Sequence, residues 1–239
     1  MLHVSTASTQ HVLILCHEIW GITPALRAKA ATWRQHGFHV VVPSFYETVG
    51  LPAHAPDEAA AFRARAALSR SSITATLTAA ITPPGGLPGP PPCTSVLGYS
   101  MGGSIALWAA TTDLPLAASV TFYGGGLEVS PWPDLAPGVE LLDELRVPWL
   151  GLYGGRDPLT PPAALARVME CRRVGEPTVE VHVYPELEHA FALDATDARH
   201  SASATEECER LTVEHLRSAE LLHNEKHLGP TRSSATRQV

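Results

Sequence analysis

The chain has 239 residues, 45% of them hydrophobic and 17% charged, which suits one domain with a substantial core and excludes the low-hydrophobicity, high-charge signature of a disordered chain. Its formal charge of -7, with no dense run of Lys or Arg, removes the electrostatic drive for nucleic-acid binding. No basic segment precedes the first apolar run, which is too short to span a bilayer, so a soluble cytoplasmic protein with no membrane association is expected.

In chain order, His11 to Cys16 (HVLILC) is an apolar run of strand length. PALRAKAATWRQHG follows, with Pro24 suited to a first helical turn and Gly37 to the position just past a helix end. Phe38 to Pro43 (FHVVVP) reads as a second strand, and strand-helix-strand is the unit of a parallel sheet. An Ala-rich stretch from about Asp57 to Ala80 is predicted as one helix. Residues 83–92, PPGGLPGPPP, are too rich in Pro and Gly for regular structure and are predicted as a surface connection. CTSVLG (93–98) and AASVTFYG (117–124) read as strands around a helix from near Gly102, and VPWLGLYG (147–154) and TVEVHVYP (178–185) flank another from near Pro161. A last helix is predicted from about Asp197 to His223, so that residues 1–223 form the domain and 224–239 a disordered tail. At least six strands alternate with helices, which predicts an α/β fold whose doubly wound, mostly parallel sheet has helices on both faces.

The four cysteines carry no CxxC pair and are expected to be free thiols. His17, His182, His200 and His215 stand outside any metal-binding spacing and read as exposed or core residues; neither a metal nor another cofactor is expected.

Gly98-Tyr99-Ser100-Met101-Gly102 is a GxSxG pentapeptide between a predicted strand and a predicted helix, the setting of a nucleophile elbow. Small flanking residues allow a sharp turn that exposes Ser100, and the helix N-terminus offers the Met101 N–H to an oxyanion. A serine needs a base, and the base an orienting group, in the chain order Ser, acid, His. Asp157 lies just past the strand WLGLY, where parallel sheets gather functional groups, although a turn or helix-cap role would also place an aspartate there. His189 follows the last strand and is the candidate base; His182 lies within that strand and reads as structural.

Four segments carry a resemblance to the dienelactone hydrolase family of α/β-hydrolases: CHEIWGITPALRAKAATWRQHGFHVVVPSFYE, GYSMGG, YGGRDPLTP and YPELEHAFA. The resemblance implies an α/β-hydrolase fold with Ser100 as nucleophile, Asp157 as acid, His189 as base, and the Ile19 and Met101 N–H groups as oxyanion hole. Glu18 matches a family glutamate beside the nucleophile, where it would either poise the site or hydrogen-bond the loop. Two positions depart from the family. Ser100 stands where the family's dienelactone enzymes have a cysteine, and Leu193 stands where they have a substrate-binding arginine four residues past the histidine.

The predicted activity is therefore hydrolysis of a small-molecule ester, lactone or related acyl substrate through an acyl-enzyme. The alternatives are non-hydrolytic acyl transfer, cyclisation or elimination on the same scaffold, or a catalytically inactive binding protein. Trp20, Tyr46, Tyr99, Tyr123 and Trp132 are candidate pocket walls, Arg63 and Arg65 read as a solvated helix face, and the loops from Tyr46 to Asp57 and from Gly124 to Leu141 as the seat of substrate choice. A monomer or homodimer is expected.

Overall fold

The computed structural model describes residues 11–81, 92–175 and 177–228. Six strands form one sheet: β1 (His11–Cys16), β2 (His39–Val41), β3 (Cys93–Tyr99), β4 (Ala118–Phe122), β5 (Trp149–Gly154) and β6 (Val179–Tyr184). They lie in the order β2-β1-β3-β4-β5-β6, and every pairing is parallel. The chain winds one way from β1 to β2 and the other way from β3 onward, so the reversal falls between β1 and β3. Such a switch point leaves a crevice at the carboxyl ends of the strands.

Alternation along each strand feeds two apolar layers, as a sheet covered on both faces requires. Leu13 and Leu15 of β1 face the layer built with Leu26, Ala30 and Trp33 of α1 (Pro24–Gln35) and Cys208 and Leu216 of α7 (Ala202–Leu228). Ile14 and Cys16 face the opposite layer, shared with α2 (Glu58–Ala66), α3 (Arg70–Ile81), α4 (Met101–Ala109), α5 (Gly138–Leu141) and α6 (Pro162–Glu170).

Three predictions are corrected. The helix expected from Asp57 to Ala80 is two helices, because Ser69 starts a new one: Ser72 N–H donates to Ser69 Oγ at 3.3 Å while Ser69 N–H donates to Ser72 Oγ at 2.9 Å, a reciprocal cap. The last helix begins at Ala202 rather than near Asp197, whose carboxylate instead accepts from the Arg199 N–H in a turn. That helix also continues past His223, so residues 224–228 are helical and not tail. The rest of the predicted tail, and residues 83–91 of the Pro/Gly-rich connection, lie outside the described residues. The described cysteines are free and buried, and no helix among the described residues is long and apolar enough to cross a membrane.

Candidate active site

The turn between β3 and α4 is set by close backbone contacts. A side chain at Gly98 would place Cβ 1.9 Å from the Gly102 carbonyl oxygen, and one at Gly102 would lie 2.3 Å from that of Cys16. Only glycine fits at either point, and the packing forces Ser100 to φ 53°, ψ -114°, a conformation disfavoured for residues with a Cβ. A hydrogen bond from the Ser100 N–H to the Phe122 carbonyl, 2.9 Å, holds it there. Tyr123 (φ 39°) and Ala190 (φ 63°) are the other non-glycine residues with positive φ among those described, and both adjoin His189. Backbone strain is thus gathered around one point.

Ser100, Asp157 and His189 converge from three strand ends. Ser100 Oγ lies 2.8 Å from His189 Nε2, and His189 Nδ1 lies 2.7 Å from Asp157 Oδ2. Asp157 is 4% exposed and its second oxygen accepts from the Leu159 N–H at 2.8 Å, so both oxygens of a buried carboxylate are engaged. The acid turn and the histidine loop are joined directly: Arg156 N–H donates to the Leu187 carbonyl at 2.9 Å. The Tyr123 ring packs edge-on to the imidazole, with centroids 5.0 Å apart.

Ser100, Met101 and His189 open on a cavity of about 680 Å³, to which Ile19, Trp20 and Glu18 contribute from the loop after β1. The Ile19 N–H makes no hydrogen bond to protein among the described residues, and the Met101 N–H is at the unpaired first position of α4. The Glu18 carboxylate makes no hydrogen bond or ion pair among the described residues; burial raises its pKa to about 7, with the nearby His189 acting in the opposite sense. No group of three metal-ligating side chains occurs among the described residues.

Of the candidate pocket walls, Trp20 lines the cavity; Tyr46, Tyr99 and Tyr123 do not. Tyr99 and Tyr123 are fully buried in the layer under α1 and α7, because their positions at the strand ends turn them to that face of the sheet. Tyr46 and Trp132 are buried in the other layer. The loop from Gly124 to Leu141 supplies Gly125, Gly126, Val129, Ser130 and Pro131 to the cavity, whereas the loop from Tyr46 to Asp57 supplies no lining residue.

Sequence reasoning missed Glu58, Phe62, Leu159 and Arg199, and left Arg65 on a solvated face with Arg63. Arg63 is exposed, but Arg65 turns to the cavity: its guanidinium lies over the Phe62 ring at 5.0 Å, and its Nε is buried without a hydrogen-bond partner among the described residues. Arg199 reaches the same cavity and is paired with Asp197. The i, i+3 spacing of Phe62 and Arg65 put them on one side of α2, the available signal; which side met the cavity was decided by tertiary packing.

Comparison with known proteins agrees with this architecture. The chain is 30% identical over 116 residues to a candidate carboxymethylenebutenolidase of Salmonella typhimurium, a match covering 48% of this chain and 43% of that protein. The match therefore spans less than half the length of that relative. A carboxymethylenebutenolidase of Rhodococcus opacus is 27% identical over 218 residues, 85% of this chain and 79% of its own. A candidate dienelactone hydrolase from Klebsiella pneumoniae superposes with a TM-score of 0.75 at 22% identity, over 90% of this chain and 89% of that one. An esterase from Pyrococcus furiosus gives 0.61 at 14% identity, over 89% and 84%. At these identities the structural likeness is one of fold. The sequence match to the dienelactone hydrolase family covers residues 1–219, nearly all of a chain whose strand order and elbow are those of an α/β-hydrolase, and the chain belongs to that family.

Proposed function

We propose that the protein is a serine-dependent hydrolase of a carboxylic ester or lactone, and that it works through an acyl-enzyme. The observation that carries this reading is the unbroken hydrogen-bonded order Ser100 Oγ, His189 Nε2, His189 Nδ1, Asp157 Oδ2, with the serine facing a cavity. Ser100 Oγ attacks the substrate carbonyl carbon as His189 Nε2 takes its proton. The carbonyl electron pair moves onto oxygen, where the Ile19 and Met101 N–H groups receive it. Collapse of that intermediate breaks the bond to the leaving oxygen, which takes the proton back from His189. Water then repeats the sequence on the acyl-Ser100 ester and regenerates the enzyme. Asp157 holds the imidazole in the tautomer with the proton on Nδ1 and stabilises the imidazolium.

A neutral serine cannot rest as an anion as a thiol can, so this chain depends on His189 at the moment of attack. Glu18 held partly protonated near neutral pH places less negative charge beside the oxyanion, which is the poising role we assign to it. The Arg65 guanidinium, whose Nε has no hydrogen-bond partner among the described residues, together with the apolar surfaces of Phe62, Val129 and Leu159, supports a substrate whose acyl part combines an apolar body with an anionic group. It offers a cation at this cavity although Leu193 carries none.

The test is release of p-nitrophenol from short acyl esters by the wild type and by Ser100→Ala. Loss of turnover by about four to six orders of magnitude in the variant is expected. Equal turnover in both proteins would overturn the assignment of Ser100.

A further inference from the structure

His17 has no part in the reaction scheme, yet it is fully buried at the end of β1 beside Glu18. Both ring nitrogens are engaged. Nδ1 lies 2.7 Å from the Glu18 carbonyl oxygen, and Nε2 lies 3.2 Å from the backbone nitrogen of Phe45. A carbonyl only accepts and a backbone N–H only donates, so these partners fix the neutral tautomer with the proton on Nδ1. Burial acts in the same direction and lowers the His17 pKa to about 4. The ring is wedged edge-on against Phe45 and Tyr46, at centroid distances of 5.3 and 4.8 Å.

The effect falls on the next peptide. In a trans peptide unit the C=O and N–H lie in one plane and point in opposite directions. The carbonyl held by His17 belongs to Glu18, so the N–H across the same plane is that of Ile19. The following peptide is held as well: the Tyr46 hydroxyl donates to the Ile19 carbonyl at 2.6 Å and lies 3.6 Å from Sδ of Met101, the residue that provides the second N–H. Two buried side chains, together with the Gly21 N–H that also donates to the Glu18 carbonyl at 3.0 Å, thus fix the peptide planes on either side of the Ile19 α-carbon, and Tyr46 also touches the other half of the oxyanion site.

We propose that His17 and Tyr46 are positioning residues that aim the Ile19 N–H at the developing oxyanion, His17 by holding the Glu18–Ile19 peptide through its carbonyl and Tyr46 by fixing the peptide after it. The hydrogen bond to the Glu18 carbonyl also polarises the amide and makes its N–H a better donor. This inference rests on the serine-hydrolase reading above and deepens it. Neither residue touches substrate, and the oxyanion is fully charged only in the transition state, so their effect belongs in kcat and not in KM.

The experiment compares wild type, His17→Leu, His17→Gln, Tyr46→Phe and Ser100→Ala. Each is assayed with p-nitrophenyl acetate, titrated with an aryl trifluoromethyl ketone that adds to the serine as an oxyanion, and labelled to completion with a fluorophosphonate to count competent serines. Expected for His17→Leu is a fall in kcat per competent site of about tenfold to a hundredfold, with KM little changed and ketone affinity weakened by a similar factor. Gln carries a donor and an acceptor on one short side chain, so His17→Gln should recover most of the loss. Tyr46→Phe should show the same pattern at smaller amplitude.

A merely structural role would reduce the number of labelled serines while leaving kcat per site and ketone affinity at wild-type values, and that result would overturn the proposal. If His17→Leu does not fold, Tyr46→Phe decides alone: wild-type kcat and ketone affinity there count against positioning. Failure of the underlying reading looks different, because Ser100→Ala would then turn over the ester as fast as the wild type.

Discussion

Glu18 is a carboxylate at the wall of a cavity with no cation paired to it among the described residues, and burial raises its pKa from 4.5 to about 7. The folded protein therefore keeps this proton to a higher pH than the unfolded chain. Its contribution to stability is complete below about pH 4.5 and is lost as pH rises through about 7. Glu18→Gln removes that dependence, so the variant should gain on the wild type by on the order of 2 kcal/mol between about pH 5 and pH 8, read by urea unfolding at each pH. Arg65 gives a second test at this scale. Arg65→Met keeps the apolar stem and removes the cation; KM for an ester with a carboxylate on its acyl part should rise about tenfold or more, against little change for the neutral analogue of equal length, in steady-state assays. Ser100, Asp157 and His189 could be found in the sequence because each sits in a short glycine- or turn-bounded segment after a strand, where chain order alone carries the pattern. Arg65, Arg199 and Phe62 could not, since whether a helix or loop residue faces a cavity depends on packing between distant segments. The same limit misplaced Tyr99 and Tyr123, whose position at strand ends was legible while the sheet face they turn to was not.

The elbow shows how an element's backbone fixes the side chain proposed as nucleophile. Gly98 and Gly102 admit no Cβ, so the strand and helix approach until Ser100 has a single conformation open to it. Gly98→Ala would have to push back the Gly102 carbonyl, a backbone atom that cannot rotate away. Destabilisation of about 3 kcal/mol or more is expected, seen as a lowered Tm, with loss of esterase activity beyond the loss of folded protein. The strands and the helices between them were legible because continuous apolar runs alternate with amphipathic ones. The break between α2 and α3 was not, because the Ala-rich run continues through it and the only mark is a serine pair acting as a reciprocal cap. Likewise Asp197 looked like a helix start, but Asp194 and Asp197 close local turns, and α7 begins after Ser201.

Across the molecule, two buried histidines oppose Glu18 in their response to acid. His11, bonded to Ser95 between β1 and β3, and His17 both have their pKa lowered from 6.5 to about 4, chiefly by burial. The unfolded chain takes up their protons first, so their stabilisation is present above about pH 6.5 and is lost as pH falls through about 4. Unfolding free energy should drop over that interval by on the order of 2 kcal/mol per histidine, and His11→Gln should flatten the profile in part, as read by urea titration. The cavity has a further consequence on the scale of the whole chain. The groups proposed to react stand on strand ends locked by backbone contacts, while Phe62 and Arg65 come from α2 and Val129 from a loop with no strand of its own. Mutational drift at those wall positions can change what is admitted without disturbing how it is cleaved, so a laboratory selection confined to Phe62, Arg65, Val129 and Leu159 would explore new substrates at little risk to the chemistry.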